Sequence, residues 1–182
     1  MSRVAIVTGG ARGIGLAACR ALAKQNTSLV LNDIDPRAAQ DAANTLAAQG
    51  VRVTPFAGSV ADPAFADALI AAAIDAYGTP DIIVNNAGFL WDGMLHKMTD
   101  EQWDSILACH LTAPFRIVRA AAPHLREAAK REAAAGTPPR DRAIVNVSST
   151  TGLHGNLGQA NYAAAKAGII GLTKTLAREW GP

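Results

Sequence analysis

The sequence lacks most features that would mark a secreted, membrane or metal-binding protein. Its 182 residues include only two cysteines, Cys19 and Cys109, which lie in apolar helical contexts and outside any CxxC or Cys/His metal spacing. We therefore expect two buried thiols and neither a disulfide nor a metal site. No apolar stretch reaches the ~18–20 residues that a membrane helix needs. The first residues reach glycines too soon for a signal peptide.

An excess of charge of one sign is also lacking. The formal net charge is +2, and the basic residues are scattered, with no run of five or six. This distribution argues against a nucleic-acid partner. With 49% hydrophobic and 18% charged residues, the composition is that of a globular protein, and the length fits one domain. We expect a soluble cytoplasmic protein with a single domain over residues 1–182.

Short β-branched runs alternate with alanine-rich helical stretches along the chain. Continuous apolar strands between helices indicate a parallel sheet that is covered on both faces. The expected fold class is therefore α/β, with a doubly wound parallel sheet. The pattern predicts strands at residues 4–7, 29–31, 51–56, 81–84 and 143–147. It predicts helices at residues 14–24, 36–49, 63–77, 99–135 with a break near 110–114, and 161–180.

A glycine-rich turn follows the first strand and opens the first helix. Gly9, Gly13 and Gly15 are spaced Gly-x3-Gly-x-Gly within residues 8–15. A dinucleotide needs a tight backbone turn, a close approach to its pyrophosphate and a helix N-terminus that faces it. The strand-turn-helix context therefore predicts a dinucleotide site, although the spacing is not the Gly-x-Gly-x-x-Gly of other dinucleotide folds.

An acidic side chain ends the second strand. Asp33 lies 24 residues after Gly9, where a carboxylate would accept hydrogen bonds from the adenosine ribose hydroxyls. The same carboxylate would repel the 2′-phosphate of NADP, whereas the guanidinium of Arg12 could pair with that phosphate. Because Asp33 is placed more directly, we predict NAD as the cofactor, with NADP as the alternative. Asp35 lies close enough to confuse the assignment.

Three polar residues in the last third of the chain suggest carbonyl chemistry. Ser149 follows the fifth strand, Tyr162 comes thirteen residues later and Lys166 four residues after that, so that Tyr162 and Lys166 share one helix face. A carbonyl reduction needs an acid that donates a proton as hydride arrives. A free tyrosine has a pKa of ~10, and a nearby ammonium favours its phenolate form. A serine hydroxyl can position the substrate oxygen.

Together these motifs resemble the short-chain dehydrogenase/reductase family, from Arg3 to the last residue. Residues 155–168 look most like the 3-oxoacyl-acyl-carrier-protein reductases. The resemblance implies a Rossmann fold and catalytic roles for Ser149, Tyr162 and Lys166, with Lys166 also holding the nicotinamide ribose. It implies a cofactor site formed by Gly9, Gly10, Ala11, Arg12, Gly13, Ile14, Gly15, Asp33, Ser59, Val60, Asn86, Ala87, Gly88, Tyr162 and Lys166.

The sequence departs from the family pattern at three places. Ser59 stands where an acidic or amide residue usually touches adenine. His110 stands where the family has a fourth catalytic residue, an asparagine at a helix break. A histidine can donate or accept through either ring nitrogen, so a catalytic role for His110 that includes a water relay to Lys166, and a simple packing role, both stay open. The segment at residues 126–140 is also longer than the family's usual loop.

The family resemblance implies two more strands and a mobile loop after residue 182. We therefore expect a truncated form of the fold, without its last two strands, that has little or no turnover. At full length the resemblance implies a homo-oligomer, either a dimer or a tetramer.

The function predicted from these patterns is hydride transfer between a nicotinamide cofactor and a carbonyl or secondary alcohol. A 3-oxoacyl or 3-hydroxyacyl thioester is the favoured substrate. A sugar or small secondary-alcohol dehydrogenase on the same frame is the second enzymatic interpretation. A catalytically silent nucleotide-binding protein and an inactive gene fragment are the remaining alternatives.

Overall fold

The computed structural model describes residues 2–181. Within that part of the chain, strands and helices alternate as the sequence pattern predicts. The strands are β1 (Val4–Val7), β2 (Ser28–Asp33), β3 (Val53–Ala57), β4 (Ile82–Asn85) and β5 (Ala143–Asn146). The helices are α1 (Gly13–Ala23), α2 (Pro36–Ala47), α3 (Phe65–Tyr77), α4 (Asp100–Leu107), α5 (Ala113–Ala134), α6 (Thr151–His154) and α7 (Ala160–Trp180).

The five strands form one sheet in the order β3-β2-β1-β4-β5. The pairs β1–β2, β1–β4 and β2–β3 are parallel, with Ala5 opposite both Leu29 and Ile82. Every residue of β1, β2 and β4 is buried, as expected for central strands that carry helices on both faces. The predicted α/β class with a doubly wound parallel sheet is confirmed. The chain changes direction across the sheet between β1 and β4, and ligands of such sheets bind at this point, outside the carboxyl ends of the strands.

The described residues group into two compact units. One holds the residues up to Ala87 together with Arg116–Val145, and the other holds Gly88–Phe115 and the residues from Asn146 onward. We refer to them as the nucleotide unit and the catalytic unit, after the sequence motifs that each contains. The single domain expected from the sequence stays a prediction.

Apolar residues of the sheet and of the first two helices form the core of the nucleotide unit. Ala5, Leu29 and Leu31 pack with Ala39 and Leu46 of α2. The N-terminus of helix α2 is stabilised in two ways. Pro36 occupies its first turn, and the Asp35 side chain accepts hydrogen bonds from the backbone N–H groups of Arg37 and Ala38.

Both cysteines are free and buried, as the sequence predicts. Burial raises the pKa of Cys19 to about 12 and that of Cys109 to about 11, because a thiolate loses its hydration in an apolar environment.

The catalytic unit begins its helical part with a capping box. The Thr99 hydroxyl accepts from the backbone N–H of Gln102, and the Gln102 side chain accepts from the backbone N–H of Thr99. After α4 the chain forms a π-helical turn, Ala108–Thr112, before α5 begins. The predicted helix break near residues 110–114 is therefore present as a local widening of the helix.

Several element boundaries differ from the sequence prediction for local reasons. Strand β3 starts at Val53 because the Val51 N–H bonds to the Leu46 carbonyl and closes the end of α2. Helix α3 starts at Phe65 because the Asp62 side chain accepts from the Ala64 N–H in a preceding turn. The sequence pattern also missed two short elements, the 3-10 turn Leu95–Lys97 and helix α6.

The long segment at residues 126–140 is held by ion pairs within the nucleotide unit. Helix α5 continues through Pro123 to Ala134. Its Glu132 pairs with Arg142 and also accepts from the backbone N–H of Arg140 at 3.1 Å. The Arg140 side chain pairs with buried Asp81 at 3.1 Å. The segment is therefore an extension of α5 followed by a loop that ion pairs and a hydrogen bond hold in place.

Among the residues that the structure describes, no helix is both long enough and apolar enough to cross a membrane.

Candidate active site

The glycine-rich turn lies at the carboxyl end of β1, in the nucleotide unit. Gly9 and Gly13 have φ values of 61° and 53°, which side-chain-bearing residues rarely adopt. Gly15 is required for a different reason: a Cβ atom there would lie 2.0 Å from the Gly9 carbonyl oxygen and 2.6 Å from the Asn86 side-chain nitrogen. The close approach of helix and turn is thus possible only without a side chain at residue 15.

Hydrogen bonds of Thr8 and Asn86 stabilise this turn. The Thr8 hydroxyl oxygen accepts from the backbone N–H groups of Asn86 and Ala87, both at 3.1 Å. The Asn86 side-chain nitrogen donates to the carbonyls of Thr8 and Gly9, also at 3.1 Å. The sequence prediction placed Asn86 and Ala87 in the cofactor site but missed Thr8. A threonine at the start of the glycine motif was the available signal.

The first turn of α1 has the properties of an anion site. Arg12 is the N-cap residue, its side chain makes no capping hydrogen bond, and the first turn contains no acidic residue. The N–H groups at a helix start carry partial positive charge and suit a phosphate. Ile14, in the same turn, is 72% exposed. The residues present therefore fit the pyrophosphate of a dinucleotide.

Asp33 and Arg12 are partners in the structure. One carboxylate oxygen of buried Asp33 accepts from the Ala11 N–H at 3.3 Å, and the other accepts from the Asp35 N–H at 3.2 Å. The Arg12 guanidinium lies 3.7 Å from the Asp33 carboxylate and 3.5 Å from that of Asp35. Asp35 itself caps α2. The hydrogen bond that its carboxylate accepts from the Ala38 N–H is the main cause that lowers the pKa of this carboxyl. The positive charge of Arg12 is therefore compensated by two carboxylates.

Ser59 and Val60 follow β3 in the same unit. The Ser59 hydroxyl oxygen accepts from the backbone N–H of Ala61 at 3.3 Å, and Val60 is buried. The Ser59 side chain thus stabilises the turn at residues 59–61.

In the catalytic unit, Lys166 ties the segment after β5 to helix α7. Its ammonium donates to the Val147 carbonyl at 2.5 Å, and its own carbonyl accepts from the Ser148 hydroxyl at 2.8 Å. Ser149 has a different partner, since its hydroxyl oxygen accepts from the Thr151 N–H at 3.2 Å. This bond leaves the Ser149 O–H able to donate. The two adjacent serines are therefore distinguished: Ser148 holds the backbone, and Ser149 is the candidate for contact with a substrate.

Lys166 also lies beside Tyr162, as the four-residue spacing predicts. The ammonium nitrogen is 5.6 Å from the centre of the Tyr162 ring. Burial is the main cause that holds the pKa of Lys166 below its usual value, with Cys109 acting in the opposite sense. A buried lysine of lowered pKa releases its proton more readily than an exposed one.

His110 lies in the π-helical turn and contacts Tyr162. Its ring packs edge-on against the Tyr162 ring, with centroids 5.0 Å apart, and its Nε2 is 2.8 Å from the Phe89 carbonyl oxygen. The Phe89 backbone N–H lies 3.3 Å from the same nitrogen, so the shorter contact, to a carbonyl that only accepts, favours a proton on Nε2. Nδ1 is buried and has no hydrogen-bond partner among residues 2–181. A Cβ at Gly88 would lie 2.3 Å from the ring, so Gly88 makes room for His110.

Burial is also the main cause that lowers the pKa of His110 to about 4, with the Lys166 charge adding to the effect. The ring is therefore neutral at physiological pH.

Two buried amides that the sequence prediction did not single out position the start of α7. Asn161 donates to the carbonyls of Trp91 and Gln102, both at 3.1 Å, and accepts from the backbone N–H of Tyr162 at 2.8 Å. Gln159 donates to the Asp92 carboxylate at 3.1 Å. Asn161 directly precedes the candidate acid and Gln159 lies three residues before it, which was the only local signal for their role.

Comparison with known proteins identifies the family of this chain. The profile of the family described as short chain dehydrogenase matches residues 3–182. The chain belongs to the short-chain dehydrogenase family. It is 42% identical to a hydroxyacyl-CoA dehydrogenase of Mycobacterium tuberculosis, over 98% of this chain and 57% of the relative. It is 40% identical to a 3-oxoacyl-[acyl-carrier-protein] reductase of Vibrio cholerae, over 97% of this chain and 67% of the relative.

Solved structures of short-chain dehydrogenases agree. A short chain dehydrogenase from Mycobacterium avium superposes with a TM-score of 0.90 at 38% identity, over 98% of this chain and 63% of that one. A family member from Burkholderia phymatum in complex with NAD gives a TM-score of 0.88 at 29% identity, over 98% of this chain and 60% of that one. The chain thus spans about three fifths of the length of these family members.

The contact at Gly15 generates a prediction about stability. We expect Gly15→Ala to destabilise the fold by about 1–3 kcal/mol, because the added methyl meets backbone that cannot move aside. Gly171→Ala is the matched control: Gly171 is an exposed helical glycine, and an added Cβ there meets no described atom within 4 Å. The control should gain up to about 1 kcal/mol from helix propensity. Urea denaturation measures both, and equal stability of the two variants would contradict the prediction.

The neutral ring of His110 predicts a pH dependence of stability. Its pKa is about 4 when folded and about 6.5 when unfolded, so between these values the unfolded chain binds the extra proton and stability falls as the pH falls. At pH 5 the loss attributable to this ring is about 2 kcal/mol relative to pH 8. We expect His110→Asn to remove this part of the pH dependence.

Urea midpoints at pH 8 and pH 5 test the His110 prediction. His154→Asn, at an exposed position of the same unit, is the control and should keep the parent's slope. If His110→Asn and the parent lose the same stability between the two pH values, the ring does not titrate as described.

Proposed function

We propose that this chain is the nucleotide-binding and catalytic part of an oxidoreductase that moves hydride between a nicotinamide cofactor and a carbonyl or secondary alcohol. The observation that carries the proposal is the arrangement around Lys166. Its ammonium lies 5.6 Å from the Tyr162 ring and donates to the Val147 carbonyl, while its own carbonyl accepts from the hydroxyl of Ser148, which is next to Ser149. Membership of the short-chain dehydrogenase family supports the same chemistry.

The nucleotide unit would hold the adenosine half of the cofactor. The glycine-rich turn and the uncapped start of α1 suit the pyrophosphate. Asp33, fixed by two backbone N–H donors, would accept from the ribose hydroxyls. We propose NAD over NADP, because the Asp33 carboxylate repels a 2′-phosphate and Arg12 is already paired with Asp33 and Asp35. The related enzyme that was solved with NAD agrees with this preference.

Each catalytic residue has a separate task in the proposed reaction. When bound, the nicotinamide ring supplies or accepts the hydride at its C4 atom. Ser149 donates a hydrogen bond from its hydroxyl to the substrate oxygen and so orients the substrate. Tyr162 donates a proton to that oxygen in the reduction and takes it back in the oxidation. Lys166 stabilises the developing phenolate by its charge and would also hold the nicotinamide ribose.

His110 has a supporting task in this proposal. Its neutral ring makes the T-shaped contact with the Tyr162 ring and bonds to the Phe89 backbone, which fixes the orientation of the acid. Its Nδ1 atom is an acceptor that can take part in a water relay to Lys166, in place of the family's asparagine.

We propose a 3-oxoacyl or 3-hydroxyacyl thioester as the substrate. The support comes from the relatives, which are named as a hydroxyacyl-CoA dehydrogenase and as a 3-oxoacyl-[acyl-carrier-protein] reductase at about 40% identity. The proposal includes a cytoplasmic location and a homo-oligomeric full-length enzyme, a dimer or tetramer. Light scattering on the full-length protein tests the oligomeric state.

Removal of the Tyr162 hydroxyl tests the role of this residue. We expect Tyr162→Phe in the full-length protein to lower turnover of an acetoacetyl thioester by ~10²–10⁴-fold, the usual contribution of general acid catalysis. Cofactor binding should stay nearly intact, since little volume is lost. The control is Tyr77→Phe, at the chain's other tyrosine, which bonds to Thr54 and should keep its turnover. A Tyr162→Phe variant within tenfold of the parent would mean that another group donates the proton.

The cofactor preference is tested at Asp33. Titration with NADH and NADPH, followed by nicotinamide fluorescence, should show tighter binding of NADH. Asp33→Ala should narrow the gap by about 1–3 kcal/mol, the scale of a hydrogen bond to a charged group. Asp41→Ala removes one exposed negative charge from α2 and serves as the control, with an unchanged preference expected. Tighter binding of NADPH by the parent would reverse the assignment.

A further inference from the structure

Asn32, near the carboxyl end of β2, is a buried polar residue to which the proposed reaction gives no role. It is only 1% exposed. Its side-chain nitrogen Nδ2 donates to the carbonyls of Phe56 and Gly58, both at 3.0 Å, and lies 3.3 Å from the carbonyl of Asp33. An amide nitrogen carries two hydrogens, so both shorter contacts are satisfied at once. The Asn32 side chain therefore joins the end of β2 to the turn that follows β3.

The backbone of Asn32 and Asp33 makes further bonds to both neighbouring turns. The Asn32 carbonyl accepts from the Gly10 N–H at 2.7 Å, and the Asp33 carbonyl accepts from the Gly58 N–H at 3.1 Å. The Asp33 carboxylate also accepts from the Ala11 N–H at 3.3 Å. Two consecutive residues thus connect the glycine-rich turn after β1 with the turn after β3, and both peptide groups of Gly58 depend on them.

The strand order places the turn after β3 beside the adenosine of the cofactor. In the proposed site the pyrophosphate lies at the start of α1, and the ribose lies at Asp33, which ends β2. Strand β3 is parallel to β2 and is the next strand beyond it, on the side away from β1. A base that continues from the ribose in the same direction therefore reaches the turn at residues 58–60.

We propose that Asn32 is a positioning residue for the adenine of the cofactor. Its amide fixes the turn at residues 58–60, which would contact the base, relative to Asp33, which would hold the ribose. Because Asn32 is buried, it acts through this turn and not by touching the cofactor. A turn that is fixed before binding lowers the ordering cost of binding. This inference rests on the proposed function.

Asn32→Leu in the full-length protein tests the inference, because leucine has a similar volume but no hydrogen-bond donor. The Kd for NADH, measured by nicotinamide fluorescence, should rise about tenfold, the scale of ordering one or two side chains on binding. AMP, which is the adenosine half of the cofactor, should lose the same factor when it competes with NADH. The KM for NADH should rise while kcat stays near the parent's value, since the nicotinamide end is unchanged.

Asn32→Asp gives a second readout that a purely structural role would not move. At pH 8 the introduced carboxylate has no hydrogen to donate to the Phe56 and Gly58 carbonyls, so NADH binding should weaken as in Asn32→Leu. Burial raises the pKa of this carboxyl, and Asp33 and Asp35, which share the single cation Arg12, add to the effect. At pH 6 the protonated form regains one donor, and the affinity relative to the parent should partly recover.

Glu132→Gln is the matched control. It removes the ion pair with Arg142 in the same nucleotide unit, so it should lower stability but leave the Kd values for NADH and AMP unchanged. If Asn32→Leu fails to fold, the pH profile of Asn32→Asp decides alone.

The possible outcomes separate the inference from the proposed function. Parent-like Kd values for NADH and AMP in the Asn32 variants would overturn the inference and leave the proposed function standing. A loss for NADH without a loss for AMP, or an equal loss at both pH values in Asn32→Asp, would overturn it as well. A parent protein that binds no NADH would overturn both.

Discussion

No side chain fits between the turn that follows β1 and the first turn of α1, and the nucleotide unit depends on this constraint. The Gly9 carbonyl faces the Cα of Gly15 so closely that a methyl group would lie 2.0 Å away. The same narrow space admits the Asn86 side chain, whose amide bonds to the carbonyls of Thr8 and Gly9. Through Asn86 the carboxyl end of β4 is joined to that of β1. The backbone N–H groups at the start of α1 are left on the surface, where an anion can reach them.

Within the catalytic unit, buried polar groups add directional contacts to the apolar packing. Asn161, Gln159 and Lys166 are all buried, and each makes hydrogen bonds to backbone or side-chain partners that lie far away in the sequence. Buried polar groups are costly unless they are satisfied, and the geometry of hydrogen bonds is directional. Such groups therefore specify one arrangement of the Tyr162 helix against its neighbours, where apolar contacts alone would tolerate several.

Much of this architecture was predictable because its signals are local. The apolar strands, the glycine spacing and the four residues between Tyr162 and Lys166 depend on neighbours within a few positions. The long-range hydrogen bonds were not predictable in this way: Thr8 bonds to Asn86 across 78 residues, and Asn161 bonds to Trp91 across 70. The charge state of His110 likewise depends on its burial, which no pattern around residue 110 encodes. Arg12 had two opposite interpretations in the sequence, and only the structure places it between Asp33 and Asp35.

The burial of both cysteines has a practical consequence for spectroscopy. Thiol-reactive labels attack the thiolate, and the pKa values of about 12 and about 11 keep Cys19 and Cys109 protonated at neutral pH. A new cysteine at an exposed helical position would have an ordinary thiol pKa and free access to the reagent. Fluorophores or spin labels can therefore be attached selectively to this chain while both native cysteines are kept.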